Sequence, residues 1–192
     1  MTVSTYGEAL RNAVKEPGLR PPPGTPLDHA AREVWEMAGA YARDGMTFLE
    51  KGDPVNAIAA LAYGAAWLDA GSRLGLFDRE DSLPPVLEGG EVPSLYVSLL
   101  HEKTTRYRGM LSRALAAVAG APDPSSPLHA ATEVFLNQAR ESLEGGNRCL
   151  AHARPLHALS WYAYGHGWLD AGVRTGVLAI LGDRSLFTAG LP

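Results

Sequence analysis

The chain has 192 residues, 46% of them hydrophobic, enough to bury a core in one ordinary domain or two small ones. A net charge of −4 and a pI near 5.8 give no chain-wide attraction to phosphate backbones or anionic lipid, so nucleic acid and membranes are disfavoured as partners. A lone cysteine, Cys149, excludes an intramolecular disulfide and predicts a cytoplasmic setting.

The opening residues carry no basic start followed by a long apolar run, and the apolar stretch 55–68 is broken by Asn56, Tyr63 and Gly64, so neither a signal peptide nor a membrane span is expected. A first helix is predicted from Thr5, where Thr5 and Glu8 have capping-box spacing, to about Pro17-Gly18. Thr25 followed by Pro26 predicts the start of a second helix, with an apolar face through Val34, Met37 or Ala38, Tyr41 and Phe48 or Leu49, closed by Gly52. Asp53 and Pro54 open a third, which Gly75 can end in the left-handed conformation.

Residues 79–93, with Pro84-Pro85 and Gly89-Gly90, read as a linker. Beyond it a helix is expected from a Ser94 cap to Gly120, then one from Ser126-Pro127. The last starts at Pro155, less firmly because Arg154 stands where a capping aspartate would. The proline-rich links RPPPGTP and APDPSSP are expected to be extended.

This order repeats because the chain is a duplication. At an offset of 101 residues Tyr6 falls on Tyr107, Leu10 on Leu111, Pro54 on Pro155 and Ala57 on Ala158 without a gap. YGAAWLDAGSRLG at 63–75 returns as YGHGWLDAGVRTG at 164–176, with nine of thirteen positions identical. The expected architecture is all-α: two tandem three-helix up-and-down bundles related by an internal pseudo-twofold, the first repeat at 1–78 and the second, with a C-terminal tail, at 94–192.

On a helical wheel Ala57, Ala60, Gly64, Trp67, Leu68, Gly71 and Gly75 share one face of the third helix, where small residues admit a close neighbour. The opposite face carries Ile58, Ala59, Ala62, Ala65 and Ala66, so the helix is apolar all round and needs a second partner. The equivalent helix of the other copy is the obvious one. Asp69 with Arg73, and Asp170 with Arg174, stand on that second face in the acid-first i,i+4 order. They can form surface ion pairs, cross the pseudo-axis to fix its register, or bind a ligand.

The string GDPVNAIAALAYGAAWLDAGSRLGLF is similar to the signature of an archaeal family, domain of unknown function 357. The resemblance covers nearly all of both copies and implies a small three-helix up-and-down bundle for each. It transfers no activity, substrate or catalytic residue.

Five of the six histidines lie at position 101 or later, but His157 and His166 face opposite ways on one helix, and no HExxH or paired i,i+4 spacing gathers metal ligands. His166, Asp170 and Arg174 form a line along the last helix, where copy one has Ala65 in place of the histidine. Cys149 reads as a small buried hydrophobe, and Tyr63 as a packing residue whose hydroxyl reaches Asn56. With no P-loop, dinucleotide fingerprint, paired CxxC or GxSxG, no cofactor and no metal are implied. Two functions follow: an interaction or adaptor protein with an unidentified protein partner or a second copy, or a small-molecule binding protein or enzyme. The second has its site between the repeats, at Tyr63, Asp69, Arg73, Tyr164, His166, Asp170 and Arg174.

Overall fold

A computed structural model describes residues 1–16, 18–79, 81–88 and 92–188, and among these the chain forms six α-helices. In the first repeat they are α1 (Val3–Ala13), α2 (Pro26–Glu50) and α3 (Pro54–Arg73). In the second, a 3-10 turn at Ser94–Tyr96 leads into α4 (Val97–Ala116), followed by α5 (His129–Ala151) and α6 (Pro155–Arg174).

The caps explain most of the boundaries and correct several expected ones. The capping box of α1 is made by Thr2 with Thr5, not Thr5 with Glu8, and the helix stops at Ala13; Pro17 lies outside the described residues. Thr25 accepts from the Asp28 N–H and Asp53 accepts from the Val55 and Asn56 N–H groups, so α2 and α3 begin where their cap residues place them. Neither α5 nor α6 has a side-chain cap, and α5 starts at His129, later than Ser126-Pro127 suggests. Gly52 and Gly75 close α2 and α3 with φ of 72°. Gly176 does the same after α6, but the counterpart of Gly52 is Ala153, the one non-glycine residue at positive φ (54°) among those described.

The connecting segments also differ from expectation. The proline-rich links close as turns, Thr25 N–H donating to Pro22 C=O and, 101 residues on, Ser126 N–H to Asp123 C=O. Helix α4 stops at Ala116 instead of reaching Gly120, because β1 (Val118–Gly120) pairs antiparallel with β2 (Leu178–Ile180). The first repeat keeps one bridge of this ladder, Leu19 with Phe77, at the pseudo-equivalent position. In each repeat it ties the link before the second helix to the chain leaving the third. Arg20 N–H donates to Leu76 C=O in one copy, and Ala121 N–H to Val177 C=O in the other.

Helices α3 and α6 form the centre. Residues 57–71 are buried without exception, as are 156–160 and 162–172. One side of each meets its own repeat: a Cβ on Gly64 would lie 2.9 Å from Tyr41 Cβ and 3.2 Å from Ala38 O, and one on Gly165 2.7 Å from Ser142 Cβ. The other side meets the partner helix. A Cβ on Gly167 would lie 2.7 Å from Ala66 Cβ and 2.8 Å from the carbonyl oxygen of Tyr63. Ala66 and Gly167 are pseudo-equivalent, so the pseudo-twofold passes between them.

Three substitutions test this account. Gly167→Ala should destabilise the chain by about 1–3 kcal/mol in urea unfolding, because the added methyl meets backbone. Gly109→Ala, in α4 with nothing within 4 Å of its Cβ position, should instead stabilise it by about 0.5–1 kcal/mol. Ala153→Gly should raise stability by about 1 kcal/mol by relieving the left-handed backbone, and a fall in the urea midpoint would contradict the strain.

Candidate functional site

The crossing of α3 and α6 places each repeat's tyrosine against the other repeat's aspartate. Tyr164 Oη donates to Asp69 Oδ2 at 2.7 Å, and Tyr63 Oη donates to Asp170 Oδ2. Both aspartates are buried, Asp69 at 4% exposure and Asp170 at 1%. Each also receives a backbone N–H from the segment that follows its own bundle: Leu83 to Asp69 Oδ2 at 2.7 Å, and Thr188 to Asp170 Oδ1 at 3.0 Å. The arrangement is reciprocal, and it satisfies carboxylates that burial alone would penalise by several kcal/mol.

The third partner breaks the symmetry. Asp69 Oδ1 accepts from Arg79 Nη1 at 2.9 Å. Asp170 has instead His166, whose Nε2 lies 3.6 Å from Oδ2, beyond a normal hydrogen bond. His166 Nδ1 is buried and has no hydrogen-bond partner among the described residues. Burial pushes both aspartates above the usual carboxylate range, against the pull of their donors and, at Asp170, of His166. Burial pushes His166 below the ordinary histidine value, with Asp170 and the Leu186 backbone opposing, which favours the neutral ring. The same desolvation, with the adjacent aspartates, raises Tyr63 and Tyr164 well above the ordinary tyrosine value and keeps both hydroxyls as donors.

The i,i+4 pairs do not form. Arg73 is exposed, and Arg174 reaches back to Glu33 of α2, Nε to Oε2 at 2.8 Å and Nη2 to Oε1 at 3.0 Å. The aspartates turn inward to the pseudo-axis, whereas the arginines one turn later have passed the end of the helix contact. Tyr63, His166 and Asp170 come together; so do Asp69 and Tyr164, with Arg73 at the rim of the same depression; Arg174 lies apart from both. Tyr63 does not reach Asn56, which donates to Asp53. Cys149 is half-buried, not core, at a shallow depression beside Trp161.

Tyr63, His166 and Asp170 line a cleft of about 370 Å³ between the repeats. From α2 come Tyr41, Asp44 and Phe48, from α3 Ala60, from α4 Lys103 and Tyr107, and from the C-terminal segment Phe187 and Thr188. Tyr41 stands 4.5 Å from Tyr63 between ring centroids, and His166 lies parallel to Phe187 at 6.2 Å. The pseudo-equivalent cleft is closed. Trp161 replaces Ala60, its ring edge-on to Tyr164 at 6.1 Å and packed on Gly145, the counterpart of Asp44. Leu87 of the linker is buried, its carbonyl accepting from His157 Nε2 at 3.0 Å, and the Leu83 carbonyl accepts from Tyr6 Oη at 2.8 Å. A depression of about 190 Å³ remains beside Trp161, which Tyr164 does not line; Tyr164 and Asp69 line instead a separate depression of about 670 Å³ with Arg73, Arg79 and Gln138.

A family model described as "Protein of unknown function (DUF357)" matches residues 5–77 and again residues 106–178. The chain belongs to this family. No curated protein and no solved structure gives a significant match. The two DUF357 copies thus share one scaffold and differ in one cleft, where Asp44, Lys103 and His166 stand against Gly145, Thr2 and Ala65. Lys103 and Asp44 were not singled out from the sequence, and comparing the copies position by position is the signal that finds them; Tyr107 matches Tyr6 and gives no such signal. Among the described residues no group of three or more His, Cys, Asp or Glu side chains could hold a metal ion, and no helix is long and apolar enough to cross a membrane.

The lowered His166 has a testable sign. Below about pH 6.5 the unfolded chain takes a proton that the folded ring refuses, so this residue subtracts stability as pH falls, by up to about 1.4 kcal/mol per pH unit until the folded ring protonates. The urea midpoint of His166→Gln should therefore fall less than that of the unmodified chain between pH 7 and pH 5. A variant that loses more over that interval would show His166 to be charged in the folded protein.

Proposed function

We propose that the chain is a small-molecule binding protein whose ligand occupies the cleft between the repeats, against Tyr63, His166 and Asp170. The observation that carries this reading is the asymmetry at the pseudo-equivalent positions 60 and 161: Trp161 fills the space on one side, while Ala60 leaves the other open beside Asp44, Lys103 and His166, whose counterparts are Gly145, Thr2 and Ala65. A buried imidazole with no hydrogen bond of normal length on either nitrogen is costly unless something else uses it. Its volume lies within the range of small-ligand sites. The lone cysteine supports a reducing, cytoplasmic setting.

A protein-interaction or adaptor role has a separate observation behind it. Leu95 and Val97 are 73% and 55% exposed beside an apolar depression shared with Leu100 and Leu156. Such a surface fits a protein partner or a second copy.

The two readings separate in a thermal-shift screen of metabolites. Under the cleft reading at least one compound stabilises the chain, Ala60→Trp removes that stabilisation while the circular dichroism spectrum is kept, and Ala60→Leu weakens it. Opening the closed side with Trp161→Ala should leave it in place. Stabilisation that survives Ala60→Trp, or a screen with no stabilising compound, would count for the adaptor role.

A further inference from the structure

Resting on the cleft as the binding site, we infer that its ligand is a small organic anion, a flat apolar ring system bearing a carboxylate that Lys103 holds. Lys103 projects from α4 into the cleft, half-buried, with its ammonium 5.6 Å from the centroid of the Tyr107 ring. It makes no ion pair among the described residues. Its neighbour Arg106 pairs with Glu102, Nε to Oε1 at 2.9 Å. Burial, reinforced by repulsion from Arg106 and opposed by Glu102 and Asp53, lowers the Lys103 ammonium below its ordinary value.

The rest of the cleft selects the sign and shape of the guest. Asp170 already accepts from Tyr63 and Thr188, so a cationic ligand would find the buried carboxylate engaged, and Asp44 is exposed at the mouth. An anion meets the opposite situation: an ammonium that makes no ion pair among the described residues, with the His166 ring on the wall of the same cleft. Tyr41, Phe48, Tyr107 and Phe187 supply aromatic walls that suit a planar apolar body. Position 103 is where this chemistry departs from the first repeat, whose counterpart, Thr2, caps a helix.

The test uses three probes with one ring system: 2-naphthoate, 2-naphthamide and 2-naphthylmethylammonium, titrated calorimetrically into the full chain at pH 7. The carboxylate should bind at least tenfold more tightly than the amide, and the ammonium most weakly. Lys103→Met should abolish the preference for the carboxylate, Lys103→Arg should restore most of it, and Ala60→Trp should abolish binding of all three. Tightest binding by the ammonium, or a carboxylate preference that survives Lys103→Met, overturns the inference. Binding of the amide or ammonium that Ala60→Trp abolishes, with no preference for the carboxylate, overturns the anion alone and leaves the cleft standing. Binding of none of the three, or binding indifferent to Ala60→Trp, overturns the anion, and the cleft then stands or falls on the metabolite screen.

Discussion

Everything in this molecule depends on how closely α3 and α6 approach at the pseudo-axis. Gly167 brings its backbone against the Tyr63 carbonyl with no room for a methyl group, and Ala66 packs directly on it. That closeness lets two helices without a polar face bury all their sides, since each repeat supplies only one of the two surfaces its third helix needs. It also sets the reach of the side chains: a tyrosine hydroxyl on one helix arrives at the aspartate of the other, twice, by the same operation. Were the axes further apart, both carboxylates would be buried short of donors, at a cost of several kcal/mol each. The reciprocal pairs therefore penalise every misregistered docking of the two repeats.

The linker and the C-terminal segment complete these pairs. Both continue past their bundles to donate a backbone N–H to the aspartate of the helix just left, though at different distances along the chain: Leu83 is 14 residues beyond Asp69, and Thr188 is 18 beyond Asp170. The duplication thus extends into irregular chain, where sequence similarity has been lost. Divergence is concentrated at the third donor, arginine in one copy and histidine in the other. Arg79 neutralises Asp69 outright; His166 at 3.6 Å does not neutralise Asp170, and leaves a polar residue at the floor of the open cleft.

How much of this could be read from the chain follows from the range of each interaction. The helices, the tandem repeat and the third-helix contact were legible because hydrophobic period and self-similarity are local records of burial; an uninterrupted apolar helix demands a partner on every side. Helix ends were less so: Thr5-Glu8 and Thr2-Thr5 offer rival capping spacings, and the register of α1 against α2 decides between them. The end of α4 depends on strand pairing with a segment some sixty residues away, which leaves no periodic trace. At the site, both aspartates, both tyrosines and His166 were recognisable as unusual on an apolar helix. Their partners were misassigned to Arg73 and Arg174, because i,i+4 spacing is visible in sequence whereas a hydroxyl crossing between helices is not. Lys103 sits on a helix whose apolar rhythm draws the eye elsewhere.

The contrast between Ala60 and Trp161 shows why a duplicated bundle suits a binding site. Two equal repeats around a pseudo-twofold create two equivalent clefts, and each exposes flanks of the central helices that the fold would gain by covering. Closing one with a half-buried tryptophan and a buried linker leucine recovers apolar burial on that side, where a large side chain taken fully from water is worth about 1.5–3 kcal/mol. Stability so placed is independent of the other cleft, which can then carry an ammonium and an imidazole that, among the described residues, make no ion pair or hydrogen bond of normal length. A single bundle would have to find both properties on the same surface; the fused pair separates them by symmetry.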